Sequence, residues 1–187
     1  SILRIHPFNQ PDVQITKELT KKTMKEEEKG KEQGQFRDTG LFINDSKELT
    51  EGLRRWLDQA QSKDYVALQA FLPHLTEIDA ALQRVRLELL KRLHLATTLG
   101  YGPRFLHSTG QLHKGGPNKG LFLQIVDEPD IDLAVPETGF TFRKLIKAQA
   151  LADYLALKKR QRRVLRLNLK KDILGGLERL RYLIRNV

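Results

Sequence analysis

Apolar residues recur along this chain in two rhythms. At helical spacing, three and four residues apart, lie Leu49, Leu53, Trp56 and Leu57; Ile78, Leu82, Val85, Leu89 and Leu93; Leu145, Ala148, Ala152 and Leu155; and Ile173, Leu177, Leu180 and Ile184. Each stripe follows a residue whose side chain can accept from the free N–H groups of a first helical turn: Ser46, Thr76, Thr141 and Asp172. Thr76 has Asp79 three residues on, the acidic partner of a capping box. A further helix opens at Pro11, which suits a first turn, with Asn9 or Gln10 as its cap. Val13, Lys17 and Thr20 then share one side of it. The stripe that starts at Ile78 predicts a helix ending by Ala96–Thr98, with His94 a helix-end residue.

The second rhythm is the short apolar run. Tyr65 to Pro73 (YVALQAFLP) is nearly continuous, the pattern of a strand covered on both faces. Leu41–Asn44 and Leu121–Val126 are shorter runs, and Arg163–Leu169 alternates Leu165, Leu167 and Leu169 with Val164, Arg166 and Asn168. Helices and strands therefore take turns along the chain, which predicts an α/β layered fold around a mainly parallel sheet. In such sheets ligands sit beyond the carboxyl ends of the strands. Trp56 falls on the helical period and reads as core.

Three stretches break both rhythms. Lys25 to Gln35 (KEEEKGKEQGQ) is charged and poor in apolar residues, so the region 25–40 reads as a mobile, solvated linker. Asp127 to Gly139 is an acidic, proline-containing excursion. Gly100 to Gly120 (GYGPRFLHSTGQLHKGGPNKG) interleaves glycines with His107, Ser108, Thr109, Gln111 and His113 and with the cations Arg104, Lys114 and Lys119. Most connections are only about 4–6 residues long, so this one reads as a binding loop.

Composition narrows the classes. The chain has 187 residues, 40% of them hydrophobic, enough for one domain with a core. No run approaches the roughly 18 apolar residues of a membrane span. The N-terminal residues do not read as a signal or transit peptide, so the cytoplasm is the expected compartment. Their abrupt start suggests a sequence that begins inside a longer chain. With no cysteine there is neither a disulfide nor a thiolate nucleophile or metal ligand. A net charge of +10 points to an anionic partner: nucleic acid, a phosphorylated metabolite or an acidic subunit.

The loop's chemistry can be narrowed in the same way. No G-x-S-x-G elbow surrounds Ser108, and no G-x-x-x-x-G-K-[ST] phosphate loop occurs. His107 and His113 without a matching carboxylate pattern make a weak zinc site, so no metal and no cofactor is expected. What remains is acid–base work by an imidazole, for which His113 is the favoured candidate, beside cations for an anionic substrate.

Two segments carry a resemblance to a known family. FLHSTGQLHKGGPNKGLFLQI (Phe105 to Ile125), with GYGPR before it, resembles the glucose-6-phosphate isomerase portion of bacterial bifunctional transaldolase/glucose-6-phosphate isomerases. PFNQPDVQITK (Pro7 to Lys17) is similar to the PFDQPxVExxK segment of glucose-6-phosphate isomerases. YVALQAFLP and FRKLIKAQALADYLAL look like the same family, and the likeness covers most of the chain except the charged linker and the last helix.

The resemblance implies a sugar isomerase (SIS) fold, a three-layer α/β/α sandwich, and interconversion of glucose 6-phosphate and fructose 6-phosphate through a cis-enediol. It places the ring-opening pair on His113 and Lys17 and a substrate-side amide on Gln10. Ser108, Thr109 and Gln111 are then expected to bind substrate. The family's E-S-x-G-K segment and its serine- and threonine-rich phosphate site do not occur here. Glu128 and Glu137 lie in the right region for the proton-transfer base but carry no matching motif. The resemblance therefore makes residues 1–187 the C-terminal isomerase subdomain of a longer enzyme, partnered by an upstream isomerase subdomain and a transaldolase domain of the same polypeptide. Such a piece should fold alone and be nearly inactive. A homo-oligomer stays open. Two alternatives stand beside this: a non-catalytic sugar-phosphate-binding domain, and a nucleic-acid-binding module using the basic stretch Lys158 to Lys171, which lacks interleaved aromatics.

Overall fold

The structure, a computed structural model, describes residues 11–28, 40–44 and 46–187. In chain order these form α1 (Pro11–Glu28), β1 (Leu41–Phe42), α2 (Ser46–Leu57), β2 (Tyr65–Phe71), α3 (Thr76–Leu93), β3 (Ala96–Tyr101), a 3-10 turn (Arg104–His107), α4 (Thr109–Gly115), β4 (Gly120–Val126), α5 (Phe142–Lys159), β5 (Arg163–Asn168) and α6 (Ile173–Asn186). The five strands make one sheet in the order β1-β5-β4-β2-β3, and every pairing is parallel. Helices cover both faces, so the chain is a three-layer α/β/α sandwich.

The two faces differ in chemistry. Val66, Leu68 and Ala70 of β2, Leu121, Leu123 and Ile125 of β4 and Leu167 of β5 pack against the apolar stripes of α2, α3 and α6 in one continuous core. Trp56 belongs to it, and its Nε1 donates to the Arg163 carbonyl at 3.3 Å. The opposite face carries Ala67 and Phe122 against Leu157 of α5. On that face Gln69, Gln124 and Arg166 are register partners across β2, β4 and β5, a polar row through the middle of the sheet. α5 lies over this row, with α4 at its end and α1 packed along its outer side.

The caps at Thr141 and Asp172 form as expected, each side chain accepting the N–H three residues on, from Lys144 and Gly175. The box at Thr76 does not. Leu75 holds the cap position without a side-chain bond, and the Asp79 carboxylate instead accepts from the Tyr101 hydroxyl at 3.2 Å. His94 closes α3 in a left-handed conformation, its N–H bonded to the Leu90 carbonyl.

The largest departure is in residues 96–120. Ala96–Tyr101 is a strand, not a helix end, and the stretch beyond it holds a 3-10 turn and a short helix instead of an open loop. β3 is an edge strand whose Ala96 and Thr98 remain exposed, so it carries little apolar signal. Several glycines of this stretch serve aromatic packing. A Cβ on Gly102 would run into the Phe71 ring, one on Gly120 into Phe122, and one on Gly110 into the Phe105 carbonyl.

Leu123 sits fully buried on a central strand. Leu123→Ala should lower the unfolding free energy by about 2–5 kcal/mol, the range for a leucine deleted from a core. Urea unfolding followed by Trp56 fluorescence reads it; a loss below about 1 kcal/mol would contradict this packing.

Candidate functional site

The site candidates divide between the interior and the surface. Gln10 lies outside the described residues. His113 does not face solvent: it is 7% exposed and its ring is enclosed by Phe122, Phe105 and Tyr65, with centroids 5.0, 5.9 and 6.4 Å away. Gln69 Nε2 donates to its Nδ1 at 3.1 Å, so the neutral ring carries its proton on Nε2. Burial, reinforced by the neighbouring Lys114 ammonium, pushes the imidazole down from 6.5 to about 4. Ser108 is spent locally, its hydroxyl donating to the Phe105 carbonyl at 3.3 Å. Thr109 is exposed at the start of α4, and Gln111 is half-buried one residue further along than Gly110.

Sequence patterning inverts in α4. Leu112 is exposed, while Lys114 is buried to 1% and donates to the equally buried Asp153 of α5 at 2.5 Å. The reason is the polar row beneath. Arg166 Nη1 donates to Gln124 Oε1, Gln124 Nε2 donates to the Ala150 carbonyl at 3.0 Å, and Arg166 lies over the Tyr154 ring. Burial pushes the Asp153 carboxyl up, while Lys114, Arg166 and Gln124 pull it back. A buried carboxylate in such a setting has to be paired, and Lys114 supplies the pair.

Lys17 lines a hollow that does not include His113. It is exposed on α1, on the rim of this hollow of about 220 Å3, which Thr16, Thr20, Leu106, His107, Leu145 and Gln149 also line. The face of α1 turned to α5 is hydroxyl-rich: Thr16, Thr20 and Thr23 are buried, with Thr20 donating to the Thr16 carbonyl at 2.8 Å and Thr23 to that of Leu19 at 2.9 Å. The exposed imidazole in this hollow is His107, at the end of the 3-10 turn. A helical reading of 109–115, with Gly110, His113 and Lys114 on one buried side, separates His107 from His113.

A larger cleft, about 520 Å3, opens at the carboxyl ends of the strands. β2 leaves the sheet toward α3 on one face and β4 toward α5 on the other, so the chain diverges there, at the position where open α/β sheets hold ligands. Its lining includes the apolar Phe71, Leu72, Val126 and Ala150 and the polar Asp127, Arg143, Lys147, Arg166 and Asn168. Burial pushes the Asp127 carboxyl up to about 6, with Arg143 opposing and Glu128 adding to the shift. Glu128 is tied to β5, accepting from Asn168 Nδ2 at 2.8 Å and Lys170 Nζ at 3.0 Å. Glu137 sits in the excursion before α5 at a left-handed backbone position, φ 59°.

The basic stretch is largely built into the fold. Arg162 donates to the carbonyls of Lys114 and Gly116, both at 2.6 Å. Arg163 donates to Asp64 at 2.6 Å and to the carbonyls of Gln59 and Asn118. Burial pushes the Asp64 carboxyl up, but Arg163, the Gln61 N–H and Lys119 more than offset this and hold it below its ordinary value. Among the described residues no three His, Asp or Glu side chains gather as a metal site, and no helix is long and apolar enough to cross a membrane.

No protein-family profile matches this chain, and no curated protein does. Among solved structures it is similar to a crystal structure of the hypothetical protein TT0462 from Thermus thermophilus, with a TM-score of 0.58 and 21% identity. The match covers 73% of this chain and 37% of that one, so the likeness is one of fold.

His113 predicts a pH effect. Its folded value lies below its unfolded one, so the unfolded chain binds more protons between them. Stability is fully present above about 6.5 and falls as pH drops toward 4, by roughly 3 kcal/mol in total. His113→Phe should flatten this part of the curve in urea unfolding between pH 7 and 4; an unchanged slope would exclude a neutral, buried His113.

Proposed function

We propose that the chain is the ring-opening part of an aldose–ketose isomerase acting on glucose 6-phosphate and fructose 6-phosphate. The observation that supports this best is the meeting of Lys17 and His107 in one hollow from distant parts of the sequence. Both residues belong to segments that resemble glucose-6-phosphate isomerases, and the histidine beside the lysine is His107 in place of His113.

An exposed imidazole can take the proton of the anomeric hydroxyl while an ammonium donates to the ring oxygen as the carbon–oxygen bond breaks. Proton transfer between carbons one and two through the cis-enediol needs a carboxylate in addition. In this reading that carboxylate and the phosphate cradle come from the rest of a longer polypeptide, which also carries a transaldolase domain. His113 then acts as a support: its bond to Gln69 and its aromatic enclosure fix α4 behind the turn that presents His107.

The test is coupled-assay turnover of fructose 6-phosphate by the full parent protein. Lys17→Ala and His107→Ala should each lower kcat by about a hundredfold or more, with unfolding midpoints close to wild type. His113→Phe should act mainly on stability. The isolated 187-residue chain should show almost no turnover. Full activity in both the Lys17 and His107 variants would overturn the assignment, and rapid turnover by the isolated chain would overturn the divided site.

A further inference from the structure

We infer that the strand-tip cleft is a second ligand site, built to take a small phosphorylated polyhydroxy compound with its phosphoryl group against Arg143 and Lys147. This goes beyond the ring-opening reading, which uses the other side of α5: that helix turns Leu145 and Gln149 to the hollow of Lys17 and Ile146, Lys147 and Ala150 to this cleft.

Three observations carry it. The first is place and size. The cleft lies where the chain diverges from β2 and β4, and its volume of about 520 Å3 is within the usual range for small-molecule sites. Its lining joins apolar residues (Phe71, Leu72, Val126, Ala150) to polar ones (Asp127, Asn168), the mixture that takes the carbon face and the hydroxyls of a polyol.

The second is charge. Of the lining groups, Arg143, Lys147, Arg166 and Lys171 are cationic and Asp127, Glu128 and Asp130 acidic, with Asp127 facing Arg143; behind the wall, buried Arg166 shares the buried Asp153 carboxylate with Lys114. At the rim, Glu128 and Asp130 are already matched by Lys170 and Lys171. The cations of the lining outnumber its carboxylates, and a buried guanidinium on the wall favours an anion there.

The third is an uncommitted donor. Arg143 Nε is screened from solvent and has no hydrogen-bond partner; its contact with the Asp132 carboxylate, at 3.8 Å, is too long for one. Lys147 is one turn along α5 from Arg143, exposed and without an ion pair among the described residues. A guanidinium fork with an ammonium four residues on can hold a phosphoryl group from two sides. The first turn of α5 is not available for this, since Thr141 and Asp132 already accept the N–H groups of Lys144 and Arg143.

Titrating the 187-residue chain with glucose 6-phosphate, inorganic phosphate and glucose, followed by backbone amide NMR, tests the site. Glucose 6-phosphate should shift the amides of Gly102, Asp127 and Ala150 and bind at least tenfold more tightly than either probe alone, about 1.4 kcal/mol. Arg143→Ala and Lys147→Ala should each weaken it by about tenfold, while Arg143→Lys keeps part of the affinity. Lys17→Ala and His107→Ala should leave these shifts unchanged even where they abolish turnover, which separates this site from the ring-opening hollow. Three results would each overturn the inference: no shift at those amides at tens of millimolar, equal affinity for inorganic phosphate and the sugar phosphate, or shifts that survive loss of Arg143 and Lys147 together.

Discussion

The position of α4 depends on one buried ion pair. Lys114 is among the largest side chains fully removed from solvent, and it ends on Asp153 of α5. A seven-residue helix that contains glycine has little stability of its own. What fixes it is the pair below and Arg162, which holds the carbonyls of Lys114 and Gly116. Breaking such a pair from one side leaves a charge stranded in the interior, so the arrangement is costly to disturb even though its net contribution is small. With α4 fixed, the 3-10 turn before it is fixed as well, and His107 faces out while His113 faces in.

The pair sits over the polar one of the sheet's two unequal faces. One face is an ordinary aliphatic core. The other threads Gln69, Gln124 and Arg166 through the middle of three parallel strands, where apolar residues are the rule. The helices above face these groups with Asp153, itself paired with Lys114, with the Ala150 carbonyl for Gln124 and with the His113 ring for Gln69 Nε2. The polar row ends at Arg166 on the wall of the strand-tip cleft. A structural requirement of the interior and a property of the surface thus meet in one guanidinium.

The fold class was legible because most stripes and runs follow the simple periods. The four stripes became α2, α3, α5 and α6, and the four apolar runs became β1, β2, β4 and β5. β3 was not legible, since an edge strand half open to solvent needs no apolar run. α4 was misleading in a different way. Its leucine points outward and its lysine inward, against the statistical habit of both residue types, because the polar row decides the orientation. His113 is buried with this inward side, whereas His107 and Lys17 line one hollow. Gly102 and Gly120, which read as room for a ligand, are room for the Phe71 and Phe122 rings.

The register of the two central strands bears on synthesis. Tyr65 pairs with Gly120, so β2 leaves the ribosome with neither of its sheet neighbours, and gains β4 only after α3, β3 and α4 have followed. Until then one edge of its nearly unbroken apolar run stays open, even once β3 has paired with the other. Parallel pairings of this kind close slowly, because the loop must be gathered before any contact rewards it. The nascent chain therefore passes through a stage in which an apolar strand with one open edge waits for its partner, and chaperone capture at that stage would act on β2 before the sheet is complete.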